Sequence, residues 1–182
     1  MLREGHLGIS MLLYAPLGIV ITAFLSLELA VIGGLCTVFG GNLPDFDTSS
    51  QLVKHRGFTH TIWFAIITAI TMAIAVFLIG TYLSISQYLK FGLIQAIFIG
   101  SFTGVGVMTH IAGDLITPRG IKPFHPVSPR NVLPVTVSER KFTFEITNAD
   151  NKAYNTGFLA LGILATTGAI YIVMNYVMFV DM

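Results

Sequence analysis

Charge is what this chain has least of. Only 10% of its 182 residues are charged, against about a quarter in an ordinary soluble domain. A water-soluble globule built from it would lack polar surface, so that class is excluded and lipid is the fitting solvent. Cysteine is nearly missing as well: Cys36 stands alone inside an apolar run. A disulfide within the chain is therefore excluded, and a lone buried thiol ordinarily acts as a small hydrophobe. Ten basic residues against nine acidic ones leave a formal net charge of only +1, so overall charge does not point to nucleic acid. The chain has no phosphate-cradling glycine loop and no Ser-His-Asp order around a nucleophile elbow. Repeats, heptads and low-complexity tracts are also missing.

What the chain does have is long apolar runs. Leu7–Leu25, Thr59–Tyr82, Phe91–Leu115 and Tyr154–Val180 each reach the roughly 20 residues that a spanning helix needs. A fifth run, Leu27–Gly41, is shorter and rich in glycine. It is compatible with a short span, a tilted one or a re-entrant segment. Charge placement separates these. If all five runs cross from an N-terminus inside, every Lys and Arg except Lys90 falls on the cytoplasmic side, as the positive-inside bias requires. If Leu27–Gly41 fails to cross, either Arg3 is parted from the other basic clusters or most of them lie outside. The expected fold is therefore all-α: a multi-pass transmembrane helical bundle of about five segments in the cytoplasmic membrane, N-terminus inside and C-terminus outside. No small-residue cleavage site follows the first run, so it is expected to be retained as a span.

Thr117–Asn151 is the sizeable polar segment. It opens on turn residues Pro118, Gly120, Pro123, Pro126 and Pro129, followed by two alternating runs, Val132–Val137 and Lys141–Ile146, around Ser138–Arg140. Period-2 alternation about a polar turn predicts a β-hairpin. Residues 117–151 thus read as a small cytoplasmic cap inserted into a single membrane domain spanning 1–182.

The five histidines, His6, His55, His60, His110 and His125, all fall at or near one side under this topology. His6 precedes the first span, and Asp45 and Asp47 follow the second. His55 and His60 precede the third, His110 and Asp114 close the fourth, and His125 follows it. Histidines used only for packing would have no reason to choose a side.

Two carboxylates at i and i+2 after Pro44, in Asn42–Asp47, can share a metal or bridge two. Alone they would read as a solvated turn. In His55–His60, Gly57 permits a tight turn, Thr59 is placed to cap the third helix, and His60 would sit in its first turn. Arg56 is a planar donor fork suited to phosphate or carboxylate. Lys54, His55 and Arg56 also read as a topology signal, which explains the charge but not two histidines. His110 and Asp114 lie on one helix face at i, i+4. They either chelate together or Asp114 orients His110. The plain alternative is a polar pair holding helices together, but ionisable groups within a span favour function. Arg119 and His125 are as readily loop residues as substrate contacts. Glu28 reads as interfacial, and Ser10, Thr109 and Thr117 as possible helpers.

Leu43-Pro44-Asp45-Phe46-Asp47, His55-Arg56-Gly57-Phe58-Thr59-His60, His110-Ile111-Ala112-Gly113-Asp114 and Thr117-Pro118-Arg119-Gly120, with His6 before them, together resemble the YdjM-like family of membrane-bound metal-dependent hydrolases. The likeness runs from His6 to about Pro126, and the four motifs are specific only in combination. It implies a helical membrane fold and hydrolase activity, and it names no substrate.

Three functions fit these residues. The first is a metal-dependent hydrolase at the cytoplasmic membrane surface. Its metal ligands would be His6, Asp45, Asp47, His60, His110 and Asp114, around one or two ions. Zinc is the foremost metal, with manganese or iron as alternatives. Catalytic roles would fall to His55 as acid or base, to Arg56 on a substrate phosphate, and to His125. A site at the lipid–water boundary suits a phosphoester or lipid-like substrate. The second is a metal transporter, disfavoured because transport sites usually lie near the midplane. The third is a structural or regulatory membrane protein with a metal-stapled face, which would leave no open coordination position.

Overall fold

The computed structural model describes residues 1–49, 57–82, 92–118, 120–125, 142–144 and 146–180. Five helices carry the chain: α1 Arg3–Phe24, α2 Leu27–Asn42, α3 Ile62–Tyr82, α4 Leu93–Leu115 and α5 Lys152–Val180. All five are long and apolar enough to cross a membrane, α2 with the help of the short 3₁₀ helix Pro44–Ser49 that continues it. Large apolar side chains such as Leu17, Ile70, Ile74, Leu164 and Tyr171 stand outward. In water such a surface would drive aggregation; in lipid it is the solvated face.

The bundle is layered around α4. Just over half of its apolar window, 56%, is buried, against 6% for α3. α2 and α3 flank α4, and α1 packs on α2 and α5. Only Leu25 and Ser26 separate α1 from α2, and the Ser26 hydroxyl accepts from the Leu29 N–H to cap α2. The two helices therefore run antiparallel, which brings the end of α2 back to the start of α1.

Without a hydrophobic force between helices in lipid, association depends on close backbone approach and polar contacts. α2 and α4 meet through glycine: a Cβ on Gly106 would collide with the Thr37 carbonyl, and one on Gly40 with that of Thr103. Thr37 Oγ1 donates to Phe102 O at 3.3 Å across the same seam. Between α1 and α4, the Ser10 and Thr109 hydroxyls are buried and 2.7 Å apart.

The third helix starts later than the sequence suggested. Phe58–His60 forms its own 3₁₀ turn, and α3 begins at Ile62. The cap is Thr61, whose hydroxyl accepts from the Phe64 N–H at 3.2 Å. Thr59 does a different job, described below.

The expected β-hairpin cap is not supported. Residues 132–141 lie outside the described residues, and those described hold only an isolated antiparallel bridge, Ile121 with Phe142. The second alternating run turns instead to the end of α4. Phe144 N–H donates to Leu115 O at 2.7 Å, and Ile146 N–H to Ile116 O at 3.0 Å. The reason is local: the last carbonyls of a helix have no partner within it, and the N–H groups of Phe144 and Ile146 satisfy those of Leu115 and Ile116. Before it, the Thr117–Gly120 turn closes with Gly120 N–H on Thr117 O at 3.0 Å. The loop beyond caps α3, with Ile62 N–H on Pro123 O at 2.9 Å and Trp63 Nε1–H on Phe124 O at 3.2 Å.

Because Gly106 faces backbone rather than a flexible side chain, Gly106→Val should separate α2 from α4. An overpacked interior typically costs about 1–3 kcal/mol. The expected result is a clear fall in the thermal midpoint of the detergent-solubilised protein, followed by circular dichroism.

Candidate metal centre

The connectivity places four helix ends at one pole of the bundle: the start of α1, the end of α2, the turn before α3 and the end of α4. Each supplies one or two chemically competent side chains. His6 comes from the first turn of α1, Asp45 from the 3₁₀ helix after α2, His60 from the turn before α3, and His110 and Asp114 from the last turns of α4.

These five side chains converge. His60 Nε2 lies 3.3 Å from His110 Nε2. Asp114 Oδ2 is 3.4 Å from His60 Nε2, and Asp114 Oδ1 is 3.5 Å from His6 Nε2. Asp45 Oδ1 sits 3.5 Å from His110 Nε2 and 3.8 Å from His60 Nε2. The His6 ring stacks on that of His110 with centroids 3.7 Å apart and planes inclined by 9°. The amino group of Met1 is 2.7 Å from Asp114 Oδ1. His6, His60, His110 and Asp114 are buried, whereas the Asp45 side chain is 34% exposed. Asp45 is thus the member through which the cluster meets solvent.

The orientation of the rings is set from behind. His110 Nδ1 is 2.7 Å from the Gly41 carbonyl. A carbonyl only accepts, so Nδ1 carries the proton and the lone pair of the neutral ring is on Nε2, facing the cluster. His60 Nδ1 is 3.0 Å from the Thr59 hydroxyl, which likewise points Nε2 inward. Such outer partners fix tautomer and aim in metal sites. Asp114 stands with His110 and His60 in one of the groups that could hold a metal ion. The orienting partner of His110 is a backbone carbonyl.

The spacing and donor types fit a cation. Two bonds of about 2.0–2.1 Å to one ion leave their donor atoms about 3.3 Å apart, close to the distances between these nitrogens and oxygens. Two groups of three, His6 with Asp45 and His110, and His60 with His110 and Asp114, have ligand atoms within 4.8 Å of one another. Buried His6 Nδ1 has no hydrogen-bond partner among the described residues.

The remaining sequence candidates divide as follows. Asp47 lies in the 3₁₀ helix, but its side chain is outside what is described, as are His55, Arg56 and Arg119 altogether. His125 is exposed in the loop after α4 and is not among the groups that converge. Sequence reasoning missed Gly41, which acts through its backbone and leaves no side-chain signal. It also read Thr59 as a cap. Gly113, between His110 and Asp114, has no side chain to signal a role. A Cβ there would lie 2.9 Å from His6 Nδ1, so glycine is what lets α1 bring its histidine against α4.

Five apolar helices with a His/Asp cluster at one pole define a multi-pass helical membrane protein with a candidate metal site. The chain belongs to the family described as YdjM inner membrane protein, whose family model matches residues 1–180. This bears out the resemblance carried by the motifs. No curated relative and no solved structure matches the chain.

Two substitutions probe the supports rather than the ligands. Gly113→Ala and Thr59→Val should each weaken metal affinity about 10–100-fold, the usual consequence of disturbing a ligand's outer partner. Titration with a competing chelator measures this, and an unchanged helical circular dichroism spectrum would show that the bundle persists.

Proposed function

We propose that this protein is a membrane-embedded metal-dependent hydrolase working at the cytoplasmic membrane surface on a phosphoester or lipid-like substrate. The observation that carries the reading is the pair of buried imidazole nitrogens, His60 Nε2 and His110 Nε2, facing each other at 3.3 Å between two aspartates. Family membership and the His/Asp groups support it.

His6, Asp45, His60, His110 and Asp114 would hold the metal, zinc first among the candidates and manganese or iron after it. Asp47 stays a candidate on sequence grounds. With its Nδ1 proton on Gly41, His110 offers one lone pair, so the two groups of three describe ways to surround a single ion rather than two ions. A divalent ion held there would supply charge to polarise a phosphoryl or acyl oxygen and would lower the pKa of a bound water. The chain's own residues do the rest. The Gly41 carbonyl and the Thr59 hydroxyl hold the rings in place. Burial of four of the five side chains keeps bulk water from the inner side, and Asp45 stands on the side open to substrate. His55 and Arg56 keep their sequence-based roles, as acid or base and as phosphate contact, and so does His125. Ligands gathered at one pole rather than at midplane favour hydrolysis over transport.

A second reading rests on the same 3.3 Å contact. His60 Nε2–H donating to His110 Nε2, with the Thr59 hydroxyl donating to His60 Nδ1, would be a metal-free polar staple between helices.

Metal analysis of the purified protein separates the two. The hydrolase reading expects about one equivalent of a divalent ion. His60→Ala and Asp114→Asn should both lose it while staying helical, and phosphoesterase turnover should fall at least about a hundredfold with it. A protein that stays metal-free after incubation with zinc and manganese leaves the staple. Orientation has its own check. Alkaline phosphatase fused after Met182 should be active if the C-terminus is outside and inactive if the topology is reversed.

A further inference from the structure

Along the lipid-facing side of the bundle, α1, α2 and α5 enclose a groove of about 460 Å³. We infer that this groove holds one hydrocarbon tail of a phosphate-headed lipid, with Arg3 and Asn42 as the headgroup contact at its polar mouth. The inference deepens the hydrolase reading by naming the substrate class, and in its catalytic sense it rests on that reading.

The register of the helices carries the argument. On α1 the groove is lined by Leu7, Met11, Tyr14, Gly18 and Thr22, a stripe at three- and four-residue steps. One step further toward the metal pole is Arg3. On α2 it is lined by Leu27, Val31, Gly34, Leu35 and Val38, and one step further stands Asn42. Residues four apart lie on one helix face, so Arg3 and Asn42 crown the two walls. They meet there: Arg3 Nε donates to Asn42 Oδ1 at 3.4 Å, and Asn42 Nδ2 is fixed by Val38 O at 2.7 Å. The Arg3 side chain is exposed, which leaves the rest of its guanidinium fork open to phosphate oxygens.

The mouth adjoins the metal centre on both helices. Leu7 follows His6 in α1, and Asn42 follows Gly41, the residue whose carbonyl holds His110. A phosphate at Arg3 and Asn42 is therefore delivered beside the cluster by α1, which carries His6, and by α2, whose Gly41 carbonyl holds His110.

Shape and chemistry select the occupant. The lining has no charged side chain. The Tyr14 and Thr22 hydroxyls already donate to the carbonyls of Ala30 and Gly18, and Thr166 is the one other hydroxyl among the lining residues, so the wall offers a solute little that is polar. From Leu7 to Thr22 the groove runs about 22 Å at 1.5 Å per residue, so its volume corresponds to a mean section of about 20 Å². A helix is about 10 Å across and does not fit such a slot; a single alkyl or isoprenoid chain does. At about 22 Å it is also deeper than one leaflet of a hydrocarbon core about 30 Å thick, which suits a long chain.

The test is native mass spectrometry of the full, metal-containing protein in detergent. The probes are hexadecyl phosphate, hexadecanol and inorganic phosphate. One hexadecyl phosphate should bind per chain, with neither hexadecanol nor inorganic phosphate retained at the same concentration. Ala169→Phe on the α5 wall and Val38→Trp below the mouth should each raise the half-saturating concentration about tenfold or more by filling the slot. Arg3→Gln should raise it about five- to tenfold by removing a charge-assisted contact. Wild-type metal content identifies a folded variant, and either wall substitution suffices. Binding that ignores both wall substitutions overturns the proposal. So does inorganic phosphate binding as well as the alkyl phosphate, which would mark a free-anion site. A change in oligomeric state on wall substitution, with alkyl phosphate binding intact, would make the groove a helix-docking face and also overturn it. The two readings fail separately. If the alkyl phosphate binds as stated while no phosphoester is turned over, the groove stands and the hydrolase falls. If p-nitrophenyl phosphate is hydrolysed while no alkyl phosphate is retained, the groove alone falls.

Discussion

The hydrogen bond from His110 Nδ1 to the Gly41 carbonyl, 2.7 Å long, is the contact on which the rest of this architecture depends. It ties the last turns of α4 to the end of α2, where Gly40 and Gly106 have already removed the side chains that would keep the two backbones apart. It also commits one ring nitrogen, so the other must face the cluster with its lone pair. Geometry, tautomer and the number of ions that His110 can serve all follow from one backbone acceptor. A side-chain acceptor could swing away; a carbonyl at the end of a packed helix cannot.

Around that contact the bundle resolves a conflict between solvent and chemistry. Ionisable side chains are costly within apolar spans, yet four of the five clustered groups are buried. They are tolerated because they come in mutual contact, at one pole, where α1 starts, α2 ends and the polar connections begin. The outward faces of α3 and α5 carry almost none of this burden and remain lipid-facing. α4, the most enclosed helix, contributes two of the five groups. The N–H groups of Phe144, Ile146 and Thr147 belong to the same solution: they satisfy carbonyls at the end of α4 that lipid could not.

Much of this was legible in the residues. Apolar run length announced four helices, the placement of Lys and Arg added the short fifth, and the one-sided distribution of histidine announced where the site residues would cluster. Asp45, His60, His110 and Asp114 could be named from motif spacing, and His6 from topology alone. What stayed hidden had physical causes. The hairpin was inferred from alternation, but alternation does not say which backbone will pair with a strand, and here the end of a helix competes for the same N–H groups. Thr59 and Thr61 are both plausible caps two residues apart, and only the path of the chain after the 3₁₀ turn assigns one to the helix and the other to His60. The groove is invisible in one helix, since each wall is an ordinary apolar stripe until another stands beside it.

The sequence by itself determined the solvent, the helical class and the inventory of metal-competent side chains, because these depend on composition and on periodicities within a few turns. Only the tertiary structure decided which donors meet, which ring nitrogen faces inward, and that Arg3 and Asn42 close one groove. Those facts join residues distant in the chain, His6 and Asp114 among them, through backbone carbonyls and glycine contacts, and a backbone acceptor carries no residue identity from which it could be read.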